Sequence, residues 1–143
     1  MRTLGQKRAE YCLEMLSNLN CERSEFKALT AGLPAMILQN GFGQTLAFLL
    51  NKASEIKEVK EQGKTIKKLK FKEKDKHYEA FRIITLWLQK KDILITDKSE
   101  KDYLMTISKM EQKNYLHAQK ETLAMLEWLK RYANAALFEG EGR

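Results

Sequence analysis

The chain lacks several sequence features, and their absence limits the classes of protein to which it can belong. Among its 143 residues there are one proline, Pro34, and two cysteines, Cys12 and Cys21, with no C-x-x-C pair. No apolar run reaches the roughly 18 to 20 residues of a membrane span, and the charged N-terminus is unlike a signal peptide. We therefore expect a cytoplasmic protein without membrane contact. In that compartment two cysteines are more often free, small apolar residues than partners in a disulfide bond.

Phosphate-binding loops are also missing. Residues 63–65 read Gly-Lys-Thr, like the end of a P-loop, but Glu58 takes the place of its first glycine. Residues 41–43 read Gly-Phe-Gly, like the start of a dinucleotide-binding fingerprint, but Leu46 takes the place of the third glycine. These glycines are better interpreted as helix ends.

Neither histidine suggests a catalytic or metal site. His77 and His117 have no histidine, cysteine or acidic cluster at ligand spacing, and neither follows an arginine by five to seven residues, as one class of helical ribonucleases requires. We interpret His77 as a solvated residue in the first turn of a helix and His117 as a surface residue. The sequence predicts no enzyme, no metal and no cofactor.

Positive charge is concentrated in one part of the chain. The net charge is +7, with 26 basic and 19 acidic residues. The segment from Lys52 to Lys76 has ten lysines against five acids, and therefore supplies most of the excess. Its first half resembles a solvated helix face. From Lys64 onward seven lysines meet two acids and flank Phe71, a pattern typical of binding to polyanions.

Apolar spacing predicts an all-α fold, a compact single-domain bundle of about six helices over residues 1–143. The predicted helices run from about Thr3 to Leu19, from Phe26 through a kink at Pro34 to Asn40, from about Phe42 to Gln62, from about Lys74 to Lys90, from Ser99 through Met110, and onward to Leu137. An exposed basic connector at about 63–75 is either a small hairpin or a disordered loop. Spacing leaves open whether the last two helices are continuous across residues 112–114.

Most aromatic side chains occupy the apolar faces of these helices. We expect five of them in the core: Phe26, Phe48, Phe81, Trp87 and Trp128.

Two segments resemble a known family. The first is LPAMILQNGFGQTLAFLLNKA, from Leu33 to Ala53, and the second is LAMLEWLKRYANAAL, from Leu123 to Leu137. In this order they resemble the small all-helical subunit of the type III-B (Cmr) CRISPR RNA-guided effector complex. The resemblance implies a non-catalytic subunit whose copies stack as an inner filament, with other effector subunits, guide RNA and target RNA as partners.

The resemblance also implies that pairing with the guide RNA reads the target sequence, so that this subunit needs only contacts to the RNA backbone. The predicted RNA-binding residues are Lys52, Lys64, Lys67, Lys68, Arg82, Lys90, Lys91, Lys130 and Arg131. Two alternatives are a basic DNA-binding regulator, using the helix-turn-helix corner at Asn40, and a protein-binding adaptor. The apolar helix after the corner argues against the regulator, because a recognition helix presents polar side chains.

Overall fold

Six helices and one hairpin make up the computed structural model, which describes residues 1–95, 99–135 and 137–138. In chain order the elements are α1 (Leu4–Ser17), α2 (Arg23–Asn40), α3 (Phe42–Ala53), β1 (Ser54–Glu61), β2 (Lys64–Phe71), α4 (Lys76–Lys90), α5 (Glu100–Lys109) and α6 (Gln112–Asn134). The prediction of about six helices is confirmed. The all-α class is wrong in part, because β1 and β2 form a two-stranded antiparallel sheet.

The third helix is shorter than predicted. It ends at Ala53 instead of Gln62, and Ser54 already has the extended dihedral angles φ −81° and ψ 149°. A helix over residues 54–62 would have only Ile56 and Val59 to bury. As a strand the same segment pairs along its whole length with β2, which is rich in β-branched and basic side chains.

The hairpin alternative for the basic connector is confirmed for residues 64–71. Gln62 and Gly63 form the two-residue turn with φ values of 52° and 77°. Positive φ at both central positions is what a type I′ hairpin turn requires. Gly63 therefore belongs to a turn and not to a helix end, contrary to the prediction.

The helix around the only proline is continuous. Pro34 lies buried inside α2, which runs from Arg23 to Asn40 without interruption. Gly41 then adopts φ 94°, and its N–H donates to the Ile37 carbonyl at 2.8 Å, which closes the last turn. The predicted end of this helix at Asn40 is confirmed.

The last two helices are separate. Met110 and Glu111 are both extended, with ψ of 143° and 153°, so the chain bends before α6 begins at Gln112. The Ser99 side chain accepts from the Asp102 backbone N–H at 3.2 Å and caps α5 as expected.

The core lies where α4 meets its neighbours. Helix α4 contacts α2, α3 and α6, and α6 also packs along α1 and α2. Of the five aromatic residues assigned to the core, Phe26, Phe81 and Trp87 are buried. Phe48 and Trp128 are only half-buried and pack at its margin. Within the described residues, none of the helices combines the length and the apolar character needed to cross a membrane.

Candidate nucleic-acid interface

The hairpin carries the highest density of positive charge in the described structure. Its strands hold six lysines against three glutamates, and all four lysines of β2 lie on a strand without an acidic residue. Apart from the ends that join the helices, most of its side chains are exposed. Strands of eight residues extend roughly 26 Å, so the hairpin is a basic ribbon that projects from the helical bundle. We call it the basic ribbon.

Cross-strand pairing sets which of its lysines are free. Lys68 forms an ion pair with Glu61, and Lys57 lies directly opposite Lys68 in the register. Lys64 and Lys67 lie opposite Glu61 and Glu58, yet neither has a carboxylate within ion-pair distance among the described residues. Their ammonium groups are therefore available to an external anion.

At the base of the ribbon, Lys52 lies beside aromatic side chains. Its ammonium nitrogen is 5.9 Å from the centre of the Phe48 ring, which in turn contacts His77 edge-on with 5.9 Å between ring centres. The Lys72 ammonium donates to the Lys52 carbonyl at 3.0 Å and ties the end of the ribbon to α3.

His77 is not the solvated residue that the sequence suggested. Its side chain is 16 % exposed, and its Nδ1 is buried 3.5 Å from an Asp75 carboxylate oxygen. Burial lowers the pKa of His77, while Asp75 opposes this shift and nearby Lys76 and Lys52 add to it. Packing against Phe48 explains the difference, since a residue in a first helical turn is solvated only if nothing covers it. His117, by contrast, is exposed as predicted.

Arg82 is already paired within the protein. Its Nε donates to Glu79 Oε2 at 2.7 Å and its Nη2 donates to Glu79 Oε1 at 3.2 Å. Glu79 is only 5 % exposed and also accepts from the Asn20 backbone N–H at 2.7 Å. A phosphate contact at Arg82 would compete with this ion pair, so among the predicted residues Arg82 has the least free charge.

Lys90 and Lys91 lie at the other end of α4 from the ribbon. A helix of 15 residues is about 22 Å long. The ammonium of Lys90 is 5.9 Å from the Tyr11 ring centre, and that of Lys91 is 5.2 Å from the Trp87 ring centre. These two cations lie over aromatic faces and form a patch separate from the ribbon.

Below that patch lies a buried ion pair that sequence reasoning missed. Arg8 donates through Nε and Nη2 to the two carboxylate oxygens of Glu121 at 2.7 and 2.9 Å. Trp87 Nε1 donates to Glu121 Oε2 at 2.9 Å. Burial raises the pKa of Glu121, but the hydrogen bonds from Arg8 and Trp87 outweigh it and hold the pKa below its usual value. No local spacing could have revealed this pair, because its members are 113 residues apart.

Lys130 and Arg131 lie together at a further place on the surface, the end of α6. Both lie in the last turns of α6, where Arg131 is exposed and Lys130 is half-buried. The nine predicted cations are thus divided among the ribbon with Lys52, the middle of α4 with Arg82, the C-terminal end of α4 with Lys90 and Lys91, and the end of α6. The structure does not bring them together into one site.

A tyrosine of α6, Tyr115, forms a hydrogen bond to the helix-turn-helix corner. The Gly43 backbone N–H donates to the Tyr115 hydroxyl at 2.8 Å, and a Cβ added at Gly43 would lie 3.4 Å from that oxygen. The following helix α3 buries six of its twelve residues: Phe42, Thr45, Leu46, Leu49, Leu50 and Ala53. In the first two turns of α3 the exposed polar side chain is Gln44, whereas a recognition helix presents several polar side chains there, which argues against the DNA-binding alternative.

The described residues offer little for catalysis. No group of three or more histidine, cysteine or acidic side chains in this part of the chain could hold a metal ion. Both thiols, Cys12 and Cys21, are buried and free, and burial raises the pKa of each to about 12. A thiol with such a pKa is protonated at neutral pH and is a poor nucleophile.

Together these features define a small, basic, mostly helical protein in which a projecting ribbon carries six lysines and further predicted cations lie at two helix ends. The family described as CRISPR-associated protein (Cas_Cmr5) matches residues 4–136. The chain therefore belongs to the Cmr5 family. This membership supports a role as a structural subunit of a Cmr-type CRISPR complex.

A solved structure has the same fold. The crystal structure of a CRISPR-associated Cmr5 family protein from Thermus thermophilus is similar to this chain, with a TM-score of 0.65 and 22 % sequence identity. The alignment covers 96 % of this chain and 99 % of that one. At this identity the likeness establishes the fold.

Proposed function

We propose that this chain is a non-catalytic subunit of a type III-B effector complex that contacts the backbone of target RNA, or of the guide-target duplex, through the basic ribbon. Copies of the chain stack as an inner filament beside the subunits that hold the guide RNA, and the complex works in the cytoplasm. The observation that carries the RNA contact is the ribbon itself, which projects six lysines and leaves Lys64 and Lys67 without carboxylate partners among the described residues.

Lysine ammonium groups suit backbone contact better than base reading. An ammonium is a flexible point charge, whereas recognition of base edges uses the planar fork of arginine or the amides of asparagine and glutamine. The ribbon has no arginine, and its only amide side chain is Gln62 in the turn. Affinity should therefore depend strongly on salt and very little on RNA sequence.

Filament formation would multiply a weak contact. One ribbon offers only a few phosphate contacts, but several copies in a row act at a high effective concentration along one RNA. We therefore expect the isolated subunit to bind single-stranded RNA weakly and the assembled complex to bind tightly.

The test is a salt titration of RNA binding by the reconstituted complex. Neutralising Lys64, Lys67, Lys68 and Lys70 with glutamine should reduce the slope of log affinity against log salt by about 0.7 for every lysine–phosphate pair that the substitutions remove from each subunit. The matched control neutralises four exposed lysines of α5 and α6 with the same change of charge: Lys101, Lys109, Lys113 and Lys120.

Three results would count against the proposal. An unchanged slope in the ribbon variant would remove the ribbon from the RNA path. An equal loss in the control variant would mean that net charge, and not this surface, sets the affinity. Strong discrimination between unrelated RNA sequences by the isolated subunit would also argue against backbone contact.

A further inference from the structure

The basic ribbon has pairing capacity that the described part of the chain does not use. Its sheet contains only β1 and β2, so each strand has one edge without a hydrogen-bonded neighbour in the described residues. An isolated two-stranded hairpin is only marginally stable in water. This one also exposes apolar side chains, with Ile56 64 % and Ile66 39 % exposed. A strand added at one edge would pair the outward backbone groups of that edge and place further side chains beside the apolar ones.

The two edges differ in charge. Strand β2 carries lysines at four of its eight positions and no acid, which repels a second copy of itself. Strand β1 reads Ser-Glu-Ile-Lys-Glu-Val-Lys-Glu and has three acidic and two basic residues. Edge pairing between copies is therefore possible through β1 and is opposed at β2.

The turn determines which backbone groups of β1 face outward. A two-residue turn joins Glu61 to Lys64, which form the first hydrogen-bonded pair of the hairpin. Hydrogen-bonded and non-hydrogen-bonded pairs alternate along an antiparallel ladder. The N–H and C=O groups of Ser54, Ile56, Glu58 and Lys60 therefore point away from β2 and are free to pair.

We infer that two copies of the free chain pair through their β1 edges about a two-fold axis at Val59, forming a four-stranded antiparallel sheet. This register places Glu58 of each copy opposite Lys60 of the other, and these residues exchange the outward hydrogen bonds. It also places Lys57 opposite Glu61, again twice. An axis at Glu58 or at Lys57 would set two like charges opposite each other. An axis at Ile56 would form only the Glu55–Lys57 pair, twice, so Val59 gives the largest number of opposite-charge pairs.

The same register brings the apolar residues of one ribbon face into contact. Val59 lies directly opposite Ile66 within each hairpin. Bringing the two Val59 side chains together makes a continuous row of Ile66, Val59, Val59 and Ile66 across the four strands. The contact is isologous and closes at two copies, so it differs from the head-to-tail contact of a filament and does not rest on RNA binding.

Two variants with complementary charge test the pairing. Lys60→Glu sets two glutamates opposite each other at both Glu58–Lys60 positions, and it leaves the hairpin intact because residue 60 faces only Thr65. Glu58→Lys does the reverse. It is combined with Lys67→Glu so that the cross-strand pair within the hairpin stays complementary. Lys113→Glu, an exposed residue of α6 with the same change of charge as Lys60→Glu, is the matched control.

Association is measured by sedimentation equilibrium of the full chain at low salt. Wild type and the Lys113→Glu control should dimerise. Each of the two β1 variants alone should associate at least about tenfold more weakly, and their equimolar mixture should recover the wild-type dimer. The Glu58 and Lys60 amides should exchange more slowly as protein concentration rises. A monomeric wild type, dimers indifferent to the β1 charges, growth beyond two copies, or no recovery on mixing would each overturn the inference.

Discussion

Removing Arg8 should destabilise the fold far more than a single surface charge would. Its guanidinium forms a two-point ion pair with Glu121, whose side chain is 7 % exposed. In the variant Arg8→Met the carboxylate keeps the hydrogen bond from Trp87 Nε1 but loses its counter-ion. The charge of Glu121 would then be buried without compensation.

The expected loss follows from this burial. Breaking a buried pair by removing one partner costs roughly 3 to 5 kcal/mol. The Arg8 side chain itself is 20 % exposed, so water can enter the vacated space, and we expect about 3 kcal/mol at pH 7. The matched control is Arg2→Met, which breaks the Arg2–Glu10 pair whose side chains are 52 % and 53 % exposed. That change should cost less than about 1 kcal/mol.

The pH dependence of the free energy of unfolding tests the same ion pair independently. In the wild type the pKa of Glu121 is lowered below its ordinary 4.5, so the ionised carboxylate stabilises the fold above that pH, and this stability is lost as the pH falls through the folded-state pKa. Without Arg8, burial raises the pKa of Glu121 instead, and protonation relieves the buried charge. The difference in stability between wild type and Arg8→Met should therefore shrink from pH 7 to pH 4.

Urea denaturation followed by circular dichroism measures these differences. A second variant, Arg8→Met with Glu121→Met, removes both charges and should recover most of the lost stability. A loss for Arg8→Met no larger than that for Arg2→Met, or a difference that does not change with pH, would refute the reasoning.

Three further changes have defined outcomes. Tyr115→Phe removes the hydroxyl that accepts from the Gly43 N–H and should cost about 1 kcal/mol in urea denaturation; no change would mean that water replaces the bond. Gly63→Ala places a side chain at φ 77° and should speed amide exchange in the ribbon while the helices keep their protection; equal loss in both would contradict an independent ribbon. Reversing Lys130 and Arg131 together to glutamate should weaken RNA binding by the complex and leave the fold intact, and an unchanged affinity would exclude the end of α6.

The local spacing of apolar residues was sufficient to predict the helices but not the ribbon. Helix α4 was predicted from about Lys74 to Lys90 and runs from Lys76, because its large apolar residues repeat with helical spacing and bury one face. In β1 only Ile56 and Val59 are large and apolar, three residues apart, which suits a helix as well as a strand. The deciding contribution is pairing with β2, a non-local interaction that periodicity does not carry.

The candidate interface shows the same limit. Composition located the positive charge in residues 52–76, and exposure of Lys64 and Lys67 on the ribbon agrees with that. Pairing of Arg82 with Glu79 three residues before it lay within reach of a helical-spacing argument. The partners of Arg8 and the cover over His77 come from distant elements, so only the folded chain reveals them.

The most direct test of the central claim is a single-particle reconstruction of the complete Cmr complex bound to guide and target RNA. The account predicts that, in successive copies of the chain, ammonium nitrogens of Lys64, Lys67 or Lys68 lie about 2.7 to 2.9 Å from phosphate oxygens, with no ribbon side chain on a base edge. A complex in which the ribbon faces another protein subunit or solvent, with the RNA beyond its reach, would contradict it.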